Sequence, residues 1–304
     1  GKLLTSLKQW NIDDDTLVIF MGDNGTAAGS NGKLDSDGFN AAMKGKKGAV
    51  YEGGHRVACF ARWPQKLKAG GSIDKLTMHT DWLPTLTELC DLKKNKNLNW
   101  DGRSIASLLE GKSNDWKARS IFISKQADQL NLWKPGGNNQ SKYPHFAVLS
   151  EKWRYVDGEL YDIRADPSQT TDVAKQHPEV TQSLYAEYKQ WFKDVADEGA
   201  PYNRFILGAP EENPTRFTTR DWHPTDGGVI WKMPLVEDDT LFVNGFWAVD
   251  VQRSGRYEIR IARFPADAES PAKANQARIR IGNIDQTIEL APSAISATFK
   301  VNLK

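Results

Sequence analysis

The run Leu17-Val18-Ile19-Phe20-Met21, ended by Gly22, restricts what this chain can fold into more than any other stretch. An unbroken apolar run this short, with no polar alternation, suits a strand buried on both faces, the setting of a helix-covered sheet in an α/β protein. Such a strand delivers Asp23-Asn24-Gly25 at its carboxyl end. In open α/β sheets ligands bind outside the carboxyl ends of the strands, so a carboxylate and an amide stand where chemistry is usually placed. Asp-Asn-Gly after a strand is also an ordinary turn sequence. Residues 25–49 follow as a polar loop rich in Gly, Asn and Ser, about 25 residues long and so longer than most connections. Val50-Tyr-Glu-Gly-Gly-His-Arg-Val57 then leads into Cys59-Phe60-Ala61.

The remaining chain divides by its punctuation. Thr80 or Asp81 can cap a helix carrying Leu83, Leu86 and Leu89, with Pro84 tolerated in its first turn, and a short helix ends at Gly111. Ile121–Ile123, Phe146–Leu149, Lys152–Val156 and Glu159–Tyr161 read as strands, the last two joined by Asp157-Gly158, a strong hairpin signal. Val180, Leu184, Tyr188, Trp191 and Val195 form the apolar stripe of a helix that should cover one face of that small sheet. Gly199, Pro201, Gly208, Pro210 and Pro214 mark a linker. Beyond it, strands are expected at 229–231, 240–243, 246–249, 257–261 and 278–281, with a last one alternating through Phe299, Val301 and Leu303. Short strands between Gly, Asn and Asp turns are the pattern of a β-sandwich. The expected organisation is an α/β core over 1–120, an α+β subdomain over 121–200, a linker over 201–218 and a β-sandwich-like extension over 219–304, possible within 304 residues.

Composition removes several functions. Lys and Arg number 40 against 39 Asp and Glu, a net charge of +1, so no electrostatic footprint for nucleic acid is expected. No run approaches the roughly 18 apolar residues of a membrane span. Two cysteines, Cys59 and Cys90, exclude a disulfide scaffold and a four-cysteine zinc site. Both are expected to be small buried hydrophobes. The helical Leu3, Leu4, Leu7, Trp10 stretch runs almost at once into a strand, and the last strand stops without a turn signal, so the chain reads as a piece of a longer one.

Asp23 and Asn24 are oxygen donors suited to a hard cation such as calcium or magnesium, though calcium takes six to eight oxygens. Lys44, Lys46 and Lys47 lie among Gly45 and Gly48, able to offer an ammonium to an oxyanion or simply to form a solvated basic loop. His55 is open to three roles: ligand, acid/base or structural hydrogen-bonder.

Taken together, Thr16-Leu-Val-Ile-Phe-Met-Gly-Asp-Asn-Gly25, Lys47-Gly-Ala-Val-Tyr-Glu-Gly-Gly-His-Arg-Val57 and Arg62-Trp-Pro64 closely resemble the type I sulfatase family. The likeness continues through His79-Thr-Asp-Trp-Leu-Pro-Thr-Leu86, Asp101-Gly-Arg-Ser-Ile105, Glu159-Leu-Tyr-Asp-Ile163 and His177-Pro-Glu-Val180, covering about residues 10–200 in the family's order. It implies the C-terminal part of an alkaline-phosphatase-like core that hydrolyses sulfate esters with calcium and a formylglycine made from Cys or Ser. Carried over, Asp23 and Asn24 resemble the last two calcium ligands, and Lys47 the lysine that contacts a sulfate oxygen and the leaving-group side. A metal and a lysine around a sulfate neutralise developing charge, and such electrostatic stabilisation usually outweighs the other contributions to catalysis.

The family's nucleophile motif, Cys or Ser-x-Pro-Ser-Arg, does not occur in the sequence; Ser270-Pro271 and Cys59-Phe-Ala-Arg62 do not supply it. The paired aspartates that open the calcium site are missing as well, so the chain by itself is expected to be inactive, with the N-terminal half of the same protein as its partner. A sulfated carbohydrate is the expected substrate, and a periplasmic or secreted location follows from the family. Residues 219–304 resemble the β-rich extension of some bacterial sulfatases, where Trp222, Trp231 and Trp247 either stack on sugars or pack a core. The alternatives are a phosphatase or phosphonate hydrolase of the same superfamily, and a non-catalytic carbohydrate-binding module.

Overall fold

The computed structural model describes residues 1–27, 39–94, 98–112, 115–124, 145–195, 204–226, 229–230 and 232–304. Those up to 195 belong to one compact unit and those from 204 onward to a second.

The first unit opens with α1 (Lys2–Gln9), which buries Leu7 and leaves Leu3 exposed. Strand β1 (Val18–Met21) follows, then a single-turn helix α2 (Glu52–His55) and β2 (Cys59–Arg62). β1 and β2 pair antiparallel with Phe20 opposite Phe60 and Met21 opposite Cys59. One face of this ladder, through Ile19 and Ala61, packs on Trp82, Ile105 and Leu108 of α3 (Trp82–Leu89), α4 (Ala106–Leu109) and the residue before α4. The other face is open: Phe20 is 67% exposed and Phe60 65%. The expectation that this strand is buried on both faces is therefore corrected, because an apolar run records what a strand can pack against and the described residues cover only one side. Cys59 and Cys90 are likewise exposed rather than buried. Cys59 lies opposite Met21 at the end of the ladder, on the same side as Ala61, and Cys90 at the C-cap of α3, where the helix ends.

Strands β3 (Ile121–Ser124), β4 (Phe146–Leu149), β5 (Trp153–Val156) and β6 (Glu159–Asp162) form an antiparallel sheet in chain order. Asp157 and Gly158 both take positive φ, 47° and 102°, the backbone a two-residue I′ hairpin requires. Because side chains alternate along a strand, the sheet has two distinct faces. Phe146, Val148, Tyr155 and Leu160 point to α5 (Pro178–Val195), meeting Leu184 and Tyr188. The Phe146 and Tyr188 rings stack at 3.8 Å between centroids. Ala147, Leu149 and Val156 face the opposite way, onto Val50 and Tyr51. The sheet is thus a platform: α5 covers one face, and the segment leading into α2 lies on the other.

In the second unit β7 (Phe205–Leu207) falls inside the segment read as a linker. β8 (His223–Asp226) precedes α6 (Met233–Glu237) and pairs with β9 (Asn244–Phe246), while β10 (Val249–Val251) runs parallel to β7. β11 (Gly255–Ala262) pairs along its whole length with β14 (Ser296–Leu303), and β12 (Gln276–Ile281) with β13 (Ile284–Glu289). Ala297, Phe299, Val301 and Leu303 of β14 meet Ile279 of β12 and Leu207 of β7 in one core, a sandwich-like arrangement. β13 escapes the sequence because Gln286 interrupts its inward row between Ile284 and Ile288. The strand expected at 240–243 does not form: Asp238 accepts the Thr240 backbone N–H at 2.9 Å and its hydroxyl at 2.6 Å, a turn that competes with a ladder. Val229 and Ile230 are also outside strands, and Trp231 lies outside the described residues. Trp222 and Trp247 are half-buried against each other, 5.7 Å between centroids, and Trp247 donates its indole N–H to the Thr218 carbonyl.

Candidate active site

The C-terminal end of β1 meets α2 and the 39–51 segment by direct backbone contact. Gly25 donates its N–H to the Gly54 carbonyl at 2.9 Å, and Gly53 donates to the Lys44 carbonyl at 2.9 Å. A Cβ on Gly25 would stand 1.9 Å from the Gly53 oxygen, and one on Gly53 2.2 Å from the Gly45 oxygen. No side chain fits in either place, so the glycines are what let three backbone segments stack.

Asp23 and Asn24 stand at this junction. The Asp23 carboxylate is exposed and makes no hydrogen bond or ion pair among the described residues. Asn24 donates its Nδ2 to the Gly25 carbonyl at 2.8 Å, which leaves its Oδ1 as the group able to accept or ligate. Lys47 is exposed, and its backbone N–H bonds to the Thr26 carbonyl at 2.9 Å. The main chain therefore brings the lysine loop beside the Asp23-Asn24 turn. It does not bring their side chains into contact. In kind, one carboxylate and one amide oxygen suit a hard cation; in number they fall short of calcium's six to eight, and among the described residues no group of three or more His, Cys, Asp or Glu could hold a metal.

Burial holds the His55 imidazole below its ordinary pKa, against the pull of Glu52. Glu52 is buried beneath it, 2.5 Å from Arg154 Nε and 3.2 Å from Arg56 Nη1, with its N–H donated to Gln169 Oε1 at 2.9 Å. Arg154 projects from the platform face and so anchors α2 to the sheet. Asp81, wholly buried, accepts the Met78 and Arg103 N–H groups and pairs with Arg119, fixing the start of α3.

A second polar group escaped the sequence reading. Glu159 Oε2 accepts the hydroxyls of Tyr51 and Tyr161, each at 2.6 Å, and pairs with Lys44 Nζ at 3.4 Å. Lys44 also donates to the Tyr161 oxygen at 2.9 Å and lies 4.1 Å from the Tyr51 ring centroid. The available signal was the i, i+2 spacing of Glu159 and Tyr161, which puts both on one face of β6.

Comparison with known proteins shows what the chain is similar to. The sulfatase family profile matches residues 1–92. Steryl-sulfatase of Homo sapiens is 36% identical over 191 residues, covering 55% of this chain and 33% of that protein. N-acetylgalactosamine-6-O-sulfatase of Bacteroides thetaiotaomicron is 28% identical over 198 residues, covering 60% and 38%. The chain thus spans between 33% and 38% of the length of these curated relatives. Among solved structures, Ps i-CgsB in complex with k-i-k-neocarrahexaose superposes with a TM-score of 0.53 at 27% identity, over 64% of this chain and 40% of that one.

Proposed function

We propose, from a chain that belongs to the sulfatase family, that it contributes one wall of a sulfate-ester hydrolase site at the C-terminal end of β1. The observation that carries this reading is the Lys47 N–H bond to the Thr26 carbonyl, which ties the lysine loop to the Asp23-Asn24 turn. Asp23 and Asn24 would supply two oxygens to a calcium ion, the remaining ligands coming from sequence outside this chain. When bound, the ion supplies positive charge against the sulfate oxygens. Lys47 places an ammonium on a sulfate oxygen and beside the departing oxygen, where negative charge grows as the S–O bond breaks. Its long stem and exposed position leave it able to reach an ester that approaches from solvent. A formylglycine nucleophile would also lie outside this chain, with the N-terminal half of the protein closing the site over the open Phe20–Phe60 face.

A sulfated carbohydrate is the substrate we favour. The N-acetylgalactosamine-6-O-sulfatase relative and the k-i-k-neocarrahexaose complex of the structural neighbour support this choice. A periplasmic or secreted location fits such a substrate, and no described helix is long and apolar enough to cross a membrane.

The test has two steps. The coding sequence upstream of Gly1 is read for Cys or Ser-x-Pro-Ser-Arg preceded by an Asp-Asp pair, and the encoded protein is assayed for sulfate release from sulfated N-acetylgalactosamine. Lys47→Ala should lower kcat by about 10²–10³, the usual loss for one charge-stabilising contact. An upstream region without the motif, or release of phosphate in place of sulfate, would remove the sulfatase reading.

A further inference from the structure

Lys44 and Tyr51 bracket the segment that carries Lys47, and both converge on one carboxylate oxygen of β6. Glu159 Oε2 accepts two phenolic hydroxyls at 2.6 Å while the Lys44 ammonium stands 3.4 Å away, and that ammonium closes the ring by donating to Tyr161 at 2.9 Å. Tyr161 is buried on the platform face, so the ring is fixed to the sheet rather than to the loop. Between the two bracketing residues the backbone is held by Ala49 N–H to the Lys46 carbonyl at 2.8 Å, Lys47 N–H to the Thr26 carbonyl at 2.9 Å and Asn40 Nδ2 to the Gly45 carbonyl at 3.3 Å, and Val50 is buried against the sheet. The Lys47 side chain has no hydrogen bond or ion pair among the described residues. Glycines at 45 and 48, with φ of 83° and 85°, give this stretch high conformational freedom when untethered.

We propose that Glu159 is a positioning residue whose carboxylate clamps both ends of the 44–51 segment to the sheet, and so holds Lys47 beside Asp23 and Asn24. This rests on the role proposed above for Lys47. A flexible lysine loop would need to be ordered at each turnover, whereas one held in advance carries no such cost at the reacting step. The ionisation of the cluster is consistent with the clamp. Burial would raise the Glu159 carboxyl, but the Tyr161 and Tyr51 hydroxyls and the Lys44 charge override it and keep it below the ordinary carboxylate value. Burial and the nearby Glu159 push both phenols upward, with Asp157 acting on Tyr51 and Asp172 on Tyr161 in the same direction. Both tyrosines therefore remain donors, and Glu159 an acceptor, throughout the neutral range.

Amide hydrogen exchange, read residue by residue on the full 304-residue chain, tests the clamp without requiring catalysis. Glu159→Ala should raise exchange at Lys47 and Gly53 by about tenfold or more, equivalent to a local opening made about 1.4 kcal/mol easier, while β4 and β5 amides keep their protection. Glu159→Gln, which retains an oxygen acceptor, should restore most of the difference. If Glu159→Ala does not fold, Tyr51→Phe deletes one hydroxyl at the same oxygen and should loosen the same two amides. Unchanged exchange at Lys47 and Gly53 overturns the clamp, as does an equal rise across β4 and β5, which would make Glu159 a general stabiliser. Failure of the sulfatase reading would appear as absent sulfate release and leave these exchange rates where they are.

Discussion

Glu52 shows how a single side chain can tie a site to its scaffold. Its carboxylate is buried between Arg154 and Arg56, at the start of a helix only one turn long. Burial by itself would raise this carboxyl. The Arg154 charge and hydrogen bond outweigh burial and hold it below the ordinary carboxylate value. A carboxyl lowered on folding contributes stability that is present above its unfolded pKa of about 4.3 and is lost as pH falls through the lower folded value. Acid titration followed by near-ultraviolet circular dichroism should therefore show the first unit loosening below about pH 4, with Glu52→Gln reducing that dependence. Arg154→Ala leaves the carboxylate buried without its partner and should cost about 3–5 kcal/mol in urea unfolding. A loss within about 0.5 kcal/mol, the range of an ordinary surface change, would mean water reaches Glu52 in solution.

At the scale of elements, the four-stranded sheet separates two tasks by the alternation of its side chains. One face is apolar and packs α5; the other carries Arg154, Glu159 and Tyr161 toward α2 and the lysine loop. The helix is fully legible in the chain, since Val180, Leu184, Tyr188 and Trp191 recur at helical spacing and all meet the sheet. The last member of the stripe, Val195, is 54% exposed at the helix end, beyond the reach of the strands. Tyr188→Ala should destabilise the first unit by about 3–5 kcal/mol, as large aromatic truncations in cores do. Val195→Ala should stay within about 0.5 kcal/mol. Equal losses at the two positions in urea melts would show that the helix is not held by its stripe as described.

Across the whole molecule, the described residues fall into two units with separate cores, one built around Tyr188 and Phe146, the other around Phe299 and Ile279. A polypeptide of residues 204–304 should accordingly unfold cooperatively by itself, checked by coincident fluorescence and circular dichroism transitions in denaturant. Gradual, non-coincident loss of signal would show that this core needs the rest of the chain. The sequence by itself determined the elements whose information is local: the β1 run, the Asp157-Gly158 hairpin, the α3 helix (though the Asp81 carboxylate bonds Met78, Arg103 and Arg119 and does not cap it), the α5 stripe, and the ordered motifs that mark the sulfatase family. Periodicity and turn chemistry act between near neighbours, so a short stretch of chain is enough to read them. Tertiary structure alone decided that one face of β1 and both cysteines are open, and that Glu159 gathers Lys44, Tyr51 and Tyr161. Those outcomes depend on what stands opposite a residue in space. The partners of Glu159 lie as far as 115 residues away in the chain, a separation across which neither pattern nor propensity carries information.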